Sequence, residues 1–185
     1  GKVYRGERNQ KGRYREFYQL DVDIVNPNKL AIANDAFIIQ LAAQAFKSIG
    51  LDNYKFQISN RKILSGLLEM LTVQNAEEVL TLIDKYDKIG ADNCYQSIEA
   101  ITNTLTTQVI KALLSIPYTP HIITDLKTFA SKLAMELNQS TTSPTYIKML
   151  LGITELEEIL HLLEVFQIPA SHFTINLKII RGLDY

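Results

Sequence analysis

The sequence predicts an α+β chain, with strands near both ends, a long helix following the first of them, and a compact all-helical insertion between. Three observations carry that reading. Residues 16–24 alternate, with Tyr18, Leu20, Val22 and Ile24 on one side and Phe17, Gln19, Asp21 and Asp23 on the other, as a strand's period of two requires. Residues 61–167 show helical apolar spacing almost throughout, interrupted only by short connectors. Residues 173–180 return to an extended pattern.

The chain opens on Gly1-Lys2-Val3, without an initiator methionine, and enters directly what reads as a strand, so a piece of a longer protein is expected. The alternation over residues 16–24 ends at Asn26-Pro27-Asn28. An apolar face opposite an amide and two carboxylates fits a sheet with a ligand lying across it. A half-exposed antiparallel strand with a solvated face is the alternative. Residues 30–49 place Ile32, Phe37, Ile38, Leu41, Ala42, Ala45 and Phe46 at helical spacing, and Gly50 suits a left-handed cap. Residues 54–59 alternate again as a second strand, after which Ser59 or Asn60 can cap the next helix.

Helices are then expected at 64–71, 76–89, 95–116, 121–137 and 145–166, the last with a break near Gly152. Gly90, Pro117, Pro120 and Ser143-Pro144 mark the connectors, and short connectors favour antiparallel helices that bury their apolar stripes together. Ile168-Pro169-Ala170 closes the insertion.

With 185 residues, 46% of them hydrophobic, the chain can bury a sizeable core, which argues against disorder. Its net charge of −1 conceals an asymmetry, because residues 1–18 carry Lys2, Arg5, Arg8, Lys11, Arg13 and Arg15 against only Glu7 and Glu16. Contact with a polyphosphate or nucleic acid is therefore expected near the N-terminus. The lone Cys94 cannot form an internal disulfide and suits a reducing compartment. No apolar run approaches the roughly 18 residues of a membrane span, and no signal segment opens the chain, so a cytoplasmic protein with no membrane partner is expected. His121, His161 and His172 stand apart from other ligand residues, apart from helical neighbours of His161 such as Glu157, and no protein-held metal is expected.

Two stretches carry chemistry. The first is Tyr4-Arg5-Gly6-Glu7 followed, after a variable loop, by Arg13 and then Phe17 four positions on, inside the longer run Gln10-Lys11-Gly12-Arg13-Tyr14-Arg15-Glu16-Phe17-Tyr18-Gln19. The second is Ile179-Ile180-Arg181-Gly182-Leu183-Asp184-Tyr185. The first resembles motif 2 of a class II aminoacyl-tRNA synthetase, with Tyr4 a mild departure. The second resembles the Arg-Gly-Leu-Asp-Tyr-Tyr signature peculiar to histidyl-tRNA synthetases, and stops after its first tyrosine. A lone Arg-x-Glu or a lone pentapeptide carries little, whereas the two in order with a helical insertion between them are specific.

The resemblance implies a partial antiparallel class II synthetase sheet with a packed helix, interrupted by an all-α insertion subdomain. It divides the chain into a core segment with motif 2 (residues 1–64), the insertion (65–169) and a return strand (170–185). It implies a ligase of protein biosynthesis that activates histidine with ATP to histidyl-adenylate and transfers it to tRNA(His). ATP arrives as a nucleotide substrate with Mg2+, and the full-length enzyme is a homodimer. Motif 1, motif 3 and the anticodon-binding domain lie outside this sequence, so the piece alone is expected to be inactive.

The residue types suit that reaction. The amino-acid carboxylate attacks the α-phosphorus of ATP, so two anionic groups are brought together while charge builds on phosphate oxygens. A planar, permanently charged guanidinium can bridge them. By resemblance Arg5 is that bridge, and such a donor is worth about 3–4 kcal/mol. Arg13 matches the arginine that reaches the outer phosphates, Phe17 the aromatic that stacks on adenine, and Glu7 the glutamate near the adenine end.

Gln19 matches the glutamine that binds the amino end of histidine, and Asp23 the acid that binds its imidazole, an Asp where some relatives carry Glu. A carboxylate there rejects side chains that cannot donate a hydrogen bond. Arg181 matches the second arginine across the α-phosphate and contacts histidine and ATP alike. Tyr185 lies by resemblance beside the histidine pocket, and Gly182 allows close backbone approach. Asp21 matches no role, and Arg8, Lys11 and Arg15 read as solvated charges.

The insertion is implied to meet the tRNA acceptor stem, although its composition is slightly acidic. Two other readings compete. One is a synthetase-like regulatory paralogue of histidine biosynthesis that binds histidine without charging tRNA, although the retained ATP-side residues argue against it. The other is a helical interaction module with a basic arm, which leaves both signatures to coincidence. Unpaired sheet edges, and with them self-association, are expected of the piece alone.

Overall fold

The computed structural model describes residues 1–6, 8 and 10–180. Strand β1 (Lys2–Tyr4) pairs antiparallel with β2 (Glu16–Tyr18), with Val3 opposite Phe17. The ladder continues past both strands, through Arg5 N–H to the Arg15 carbonyl at 2.9 Å and Gln19 N–H to the Gly1 carbonyl at 2.8 Å. At the tip, Arg13 N–H donates to the Gln10 carbonyl at 2.9 Å across a turn whose third residue, Gly12, has φ +79°. That sign of φ favours glycine, so the Lys11-Gly12 pair shapes the hairpin.

The strand expected over residues 16–24 is regular only from Glu16 to Tyr18, and its pairing ends at Gln19. Tyr18 (79% exposed) and Leu20 (85%) form the side expected to be core, yet no described element covers it. The alternation marks a face that needs a second layer, and one hairpin cannot supply it. A turn follows in which Asn28 N–H bonds the Asn26 side chain at 3.0 Å.

Helix α1 (Ala33–Ser48) starts three residues later than the first apolar residue of its pattern, at Leu30. Its end is the expected left-handed cap. Gly50, at φ +73°, donates to the Lys47 carbonyl and Leu51 to the Phe46 carbonyl, closing a Schellman motif. Strand β3 (Phe56–Ile58) leads to Asn60, whose side chain accepts Lys62 N–H at 3.0 Å and caps α2 (Arg61–Met70).

Six helices follow: α3 (Ala76–Asp84), α4 (Tyr86–Ile89), α5 (Ala91–Ile101), α6 (Thr104–Leu114), α7 (Ile122–Glu136) and α8 (Pro144–Val165). The single helices expected over 76–89 and 95–116 are each divided. The second divides where Asn103 accepts Thr106 N–H at 2.8 Å, because an asparagine that caps a new helix ends the old one.

No break occurs at Gly152, and α8 runs straight through it. Gly152 and Gly66 are instead the contact residues between α8 and α2. A Cβ on Gly66 would lie 2.6 Å from the Met149 backbone nitrogen, and one on Gly152 2.9 Å from Ile63. Two helices meet closely only where one presents no side chain, and here each presents its glycine to the other.

After a 3-10 turn at Ala170–His172 the chain forms β4 (Phe173–Ile175), which pairs with β3 in parallel, Gln57 opposite Thr174. The β1–β2 pair is antiparallel, as expected of a partial antiparallel sheet, whereas this second pair is parallel. All the helices from α2 to α8 lie between β3 and β4, so the connection acts as a crossover and brings the chain back in the same direction. The core cluster runs from Ala36 to Ile180, with Ile63, Leu67, Ile98, Leu126 and Met149 fully buried. None of the described hairpin residues belongs to it. Phe46, Tyr54, Phe56 and His172 form an aromatic cluster that seats β3 against α1, with Tyr54 and His172 at 4.5 Å between ring centres. Among the described residues no helix is long and apolar enough to cross a membrane.

Candidate active site

Pairing of Val3 with Phe17 and of Arg5 with Arg15 puts alternate residues of both strands on one face of the hairpin. On that face the Arg5 guanidinium lies 5.3 Å from the centre of the Phe17 ring and reaches on to donate to Gln19 Oε1 at 3.3 Å. Three of the sequence-predicted residues are thus brought together. Arg5 is exposed, while Phe17 and Gln19 are half-buried. The guanidinium over the phenyl ring is a cation–π contact, which lays the exposed side chain along the strand pair.

The Gln19 Nε2 donates to Asp21 Oδ1. Sequence reasoning gave Asp21 no role, yet it decides which way the Gln19 amide faces. A carboxylate only accepts, so it takes the NH2 end, and a guanidinium only donates, so it takes the oxygen. The resulting order, Arg5 to Gln19 to Asp21, presents one face with a cation, an aromatic ring and an oriented amide. The signal was present in the sequence, since Asp21 is two residues from Gln19 and on its side of the alternation.

Arg13 lies in the hairpin tip, bridged through its backbone to Gln10, and is exposed. Asp23 is exposed beyond the paired part of β2, outside the Arg5–Phe17–Gln19 group. Glu7, Arg181, Gly182 and Tyr185 lie outside the described residues. On the far side of the hairpin Lys2 pairs with Glu16, and the half-exposed state of both makes that ion pair a weak contributor.

The chain reaches its other end through Asn176, which is held to β3. Its N–H donates to the Ile58 carbonyl at 2.9 Å and its side-chain amide to Gln57 Oε1 at 2.7 Å. Ile180, five residues from the end of the sequence, is 6% exposed. The residues before Arg181 are therefore fixed by sheet pairing and burial.

A second cluster of charge joins α1, α2 and α8. Lys62 and Asn60 both bond Glu155, the amide at 2.7 Å. Burial pushes the Glu155 carboxyl up, but those two bonds and the charges of Lys62 and Lys29 outweigh it and hold the group below the usual range. Asp35 is pushed up by burial first and then by the charge of Glu155, with Lys62 opposing. This cluster holds helices together. Of the three histidines, His121 and His161 are exposed, and His172 packs against Tyr54.

A family model for histidyl-tRNA synthetase matches residues 1–185. The chain is similar to the histidine-tRNA ligase of Clostridium acetobutylicum, 48% identical over 186 residues, covering all of this chain and 40% of that protein. It is 36% identical to the histidine-tRNA ligase of Clostridium tetani, again over the whole chain and 39% of that protein. The chain thus spans about 40% of the length of the curated relatives it matches. In three dimensions it resembles a histidyl-tRNA synthetase from a Nostoc species, with a TM-score of 0.84 at 27% identity, over the whole chain and 40% of that structure. It also shares its fold with an ATP phosphoribosyltransferase regulatory subunit/histidyl-tRNA synthetase from Bacillus halodurans, with a TM-score of 0.62 at 15% identity over 85% of the chain.

Proposed function

The chain belongs to the histidyl-tRNA synthetase family, and on that premise we propose that it supplies one wall of the site in which the full-length protein joins histidine to ATP. The observation that carries the reading is the convergence of Arg5, Phe17 and Gln19 on one face of the β1–β2 hairpin. Arg5 bridges the histidine carboxylate and the α-phosphate. Its planar, two-sided donor set suits a pair of anions that repel one another until a cation lies between them. To do so the guanidinium swings off the Phe17 ring, which frees that π-face for adenine to stack upon. Gln19, turned by Asp21, points its amide oxygen where an ammonium group can donate to it, and Asp23 takes the imidazole N–H.

Arg13 contacts the outer phosphates from the hairpin tip, with Glu7 nearer the adenine. Arg181 faces the α-phosphate from the side opposite Arg5, and Tyr185 borders the histidine pocket. As the carboxylate oxygen attacks phosphorus and the bond to the pyrophosphate oxygen breaks, negative charge shifts onto the phosphate oxygens. With both substrates bound, the two guanidinium groups stabilise that charge as it forms. Mg2+ enters with the ATP substrate.

In the same reading residues 65–169 form the insertion domain and meet the acceptor stem of tRNA(His), while 1–64 and 170–185 belong to the catalytic core. Helix α2 carries the chain across the first of those boundaries. The full-length protein works in the cytoplasm as a homodimer. Histidine-dependent exchange of pyrophosphate into ATP by the full-length protein tests the reading. Wild-type exchange that needs histidine, with a loss of roughly 100- to 1000-fold in Arg5→Ala, is the expected result. Histidine binding without exchange contradicts it and favours a regulatory paralogue.

A further inference from the structure

Beyond the hairpin, four side chains from separate elements form a ladder of cations and rings. The Lys178 ammonium, three residues past β4, sits 4.0 Å from the centre of the Tyr86 ring on α4. Tyr86 meets Tyr95 of α5 edge to face at 5.7 Å, and Lys111 of α6 lies 5.5 Å from the Tyr95 ring. Tyr86, Tyr95 and Lys178 are half-buried. Among the described residues Lys178 pairs with no carboxylate, so the tyrosine face is the principal partner of its charge.

The packing alone does not call for a lysine here. Leu177 and Ile180 on either side of it are buried, at 7% and 6% exposure, and an aliphatic residue at 178 would add to the same core. The ammonium instead meets a ring in a half-buried place, where cation–π attraction is stronger than at an open surface. The Lys178 charge is also felt at the buried Cys94, where burial pushes the thiol up and the lysine opposes it. On its other side the segment is tied to β3 through Asn176, which also accepts Lys178 N–H on its side-chain oxygen at 3.1 Å. The segment thus has two anchors, a polar one to the sheet and a cationic one to the helices.

Arg181 follows Lys178 by three positions. We propose that Tyr86, by holding Lys178, is a positioning residue for histidine activation, fixing from within the helical segment the chain that carries Arg181. The proposal rests on the reading of Arg181 as a phosphate-contacting residue. Three residues of chain span at most about 11 Å, so an anchor at Lys178 restricts where the following guanidinium can be placed. A misplacement of about 1 Å in a reacting group can lower the rate roughly 100-fold, so a loosened anchor is felt at the chemistry. A cation–π contact of this kind shifts the anchored population by roughly 2- to 30-fold.

The test is histidine-dependent ATP–pyrophosphate exchange by the full-length protein, with kcat and KM measured separately and thermal stability measured alongside. Tyr86→Leu keeps an apolar side chain but removes the π-face, and kcat is expected to fall roughly 3- to 30-fold with KM for ATP within about twofold. Tyr86→Phe keeps the ring and is expected to stay within about twofold of wild type. Lys178→Met should reproduce the loss, and the double variant Tyr86→Leu with Lys178→Met should lose no more than either alone. Lys178→Met carries the same test should Tyr86→Leu fail to fold.

Additive losses in the double variant, equal losses in Phe and Leu, or an unchanged kcat in both Tyr86→Leu and Lys178→Met would overturn the proposal. Arg181→Ala separates the two claims. Wild-type exchange in Arg181→Ala overturns the underlying reading, and the anchor's function with it. Lost exchange in Arg181→Ala beside normal exchange in the Tyr86 and Lys178 variants overturns the anchor alone.

Discussion

Replacing Gly66 by alanine tests the helix pair at the centre of the molecule. The added Cβ would lie 2.6 Å from the Met149 nitrogen and 2.8 Å from its Cα and Cβ. Ordinary contacts of that kind begin near 3.4 Å, so α2 and α8 would have to part by several tenths of an ångström. The obstacle is backbone and cannot rotate away. Overpacking of this sort costs about 1–3 kcal/mol. Against it stands the better helix propensity of alanine, about 1 kcal/mol.

A backbone clash places the cost near the top of that range, which leaves a net loss of about 2 kcal/mol for Gly66→Ala. Gly152→Ala should lose less, because its nearest atoms, the Ile63 side chain and backbone nitrogen, lie at 2.9 Å rather than 2.6 Å. The assay is urea unfolding of the chain followed by helical circular dichroism. For a chain of this length the Gly66→Ala loss also amounts to a fall in Tm of about 4–8 °C. A Gly66→Ala variant more stable than wild type would show propensity winning over packing and would refute the close approach of α2 and α8.

Other outcomes follow from the same contacts. Asn103→Ala removes the cap that starts α6 and should cost about 1 kcal/mol in the same unfolding assay. Glu155, held below the usual carboxylate range, contributes stability present above its unfolded value of 4.5 and lost as pH falls through its folded value. Asp35 has the opposite sign, its contribution being complete below 3.8 and lost as pH rises through its raised folded value. Glu155→Gln should therefore flatten the acid limb of a stability-against-pH curve, and it should lower Asp35 toward its ordinary range, measurable by carboxyl NMR titration. Asp21→Ala frees the Gln19 amide to turn, and KM for histidine should rise by about 2- to 10-fold in pyrophosphate exchange, the worth of one oriented hydrogen bond.

The parts of the fold that were legible in the sequence are those decided locally. Gly50 ends α1 because a left-handed residue is needed there, and Asn60 starts α2 because its side chain reaches the second helical N–H. Partner-dependent features were not legible in the same way. Gly152 reads as a helix breaker in isolation, but opposite Ile63 its missing Cβ is what lets two helices touch. The parallel pairing of β3 with β4 depends on a crossover of more than a hundred residues, which no local period reports.

The break at Asn103 was visible in principle. Thr102-Asn103-Thr104 is a capping sequence inside an apolar run, and the run hid it. At the candidate site, Arg5, Phe17 and Gln19 were named from motif and alternation, and they meet on one face of the hairpin. Asp21 escaped because its role is to orient a neighbour rather than to touch a ligand. The Lys178–Tyr86 contact joins residues 92 positions apart and leaves no trace in either segment alone.

The most direct test of the account is pyrophosphate exchange into ATP by the full-length protein, with histidine and with each other amino acid in turn. Exchange is expected with histidine alone, reduced roughly 100-fold or more in Arg5→Ala. Exchange that proceeds equally well with another amino acid, or that survives Arg5→Ala undiminished, would contradict it.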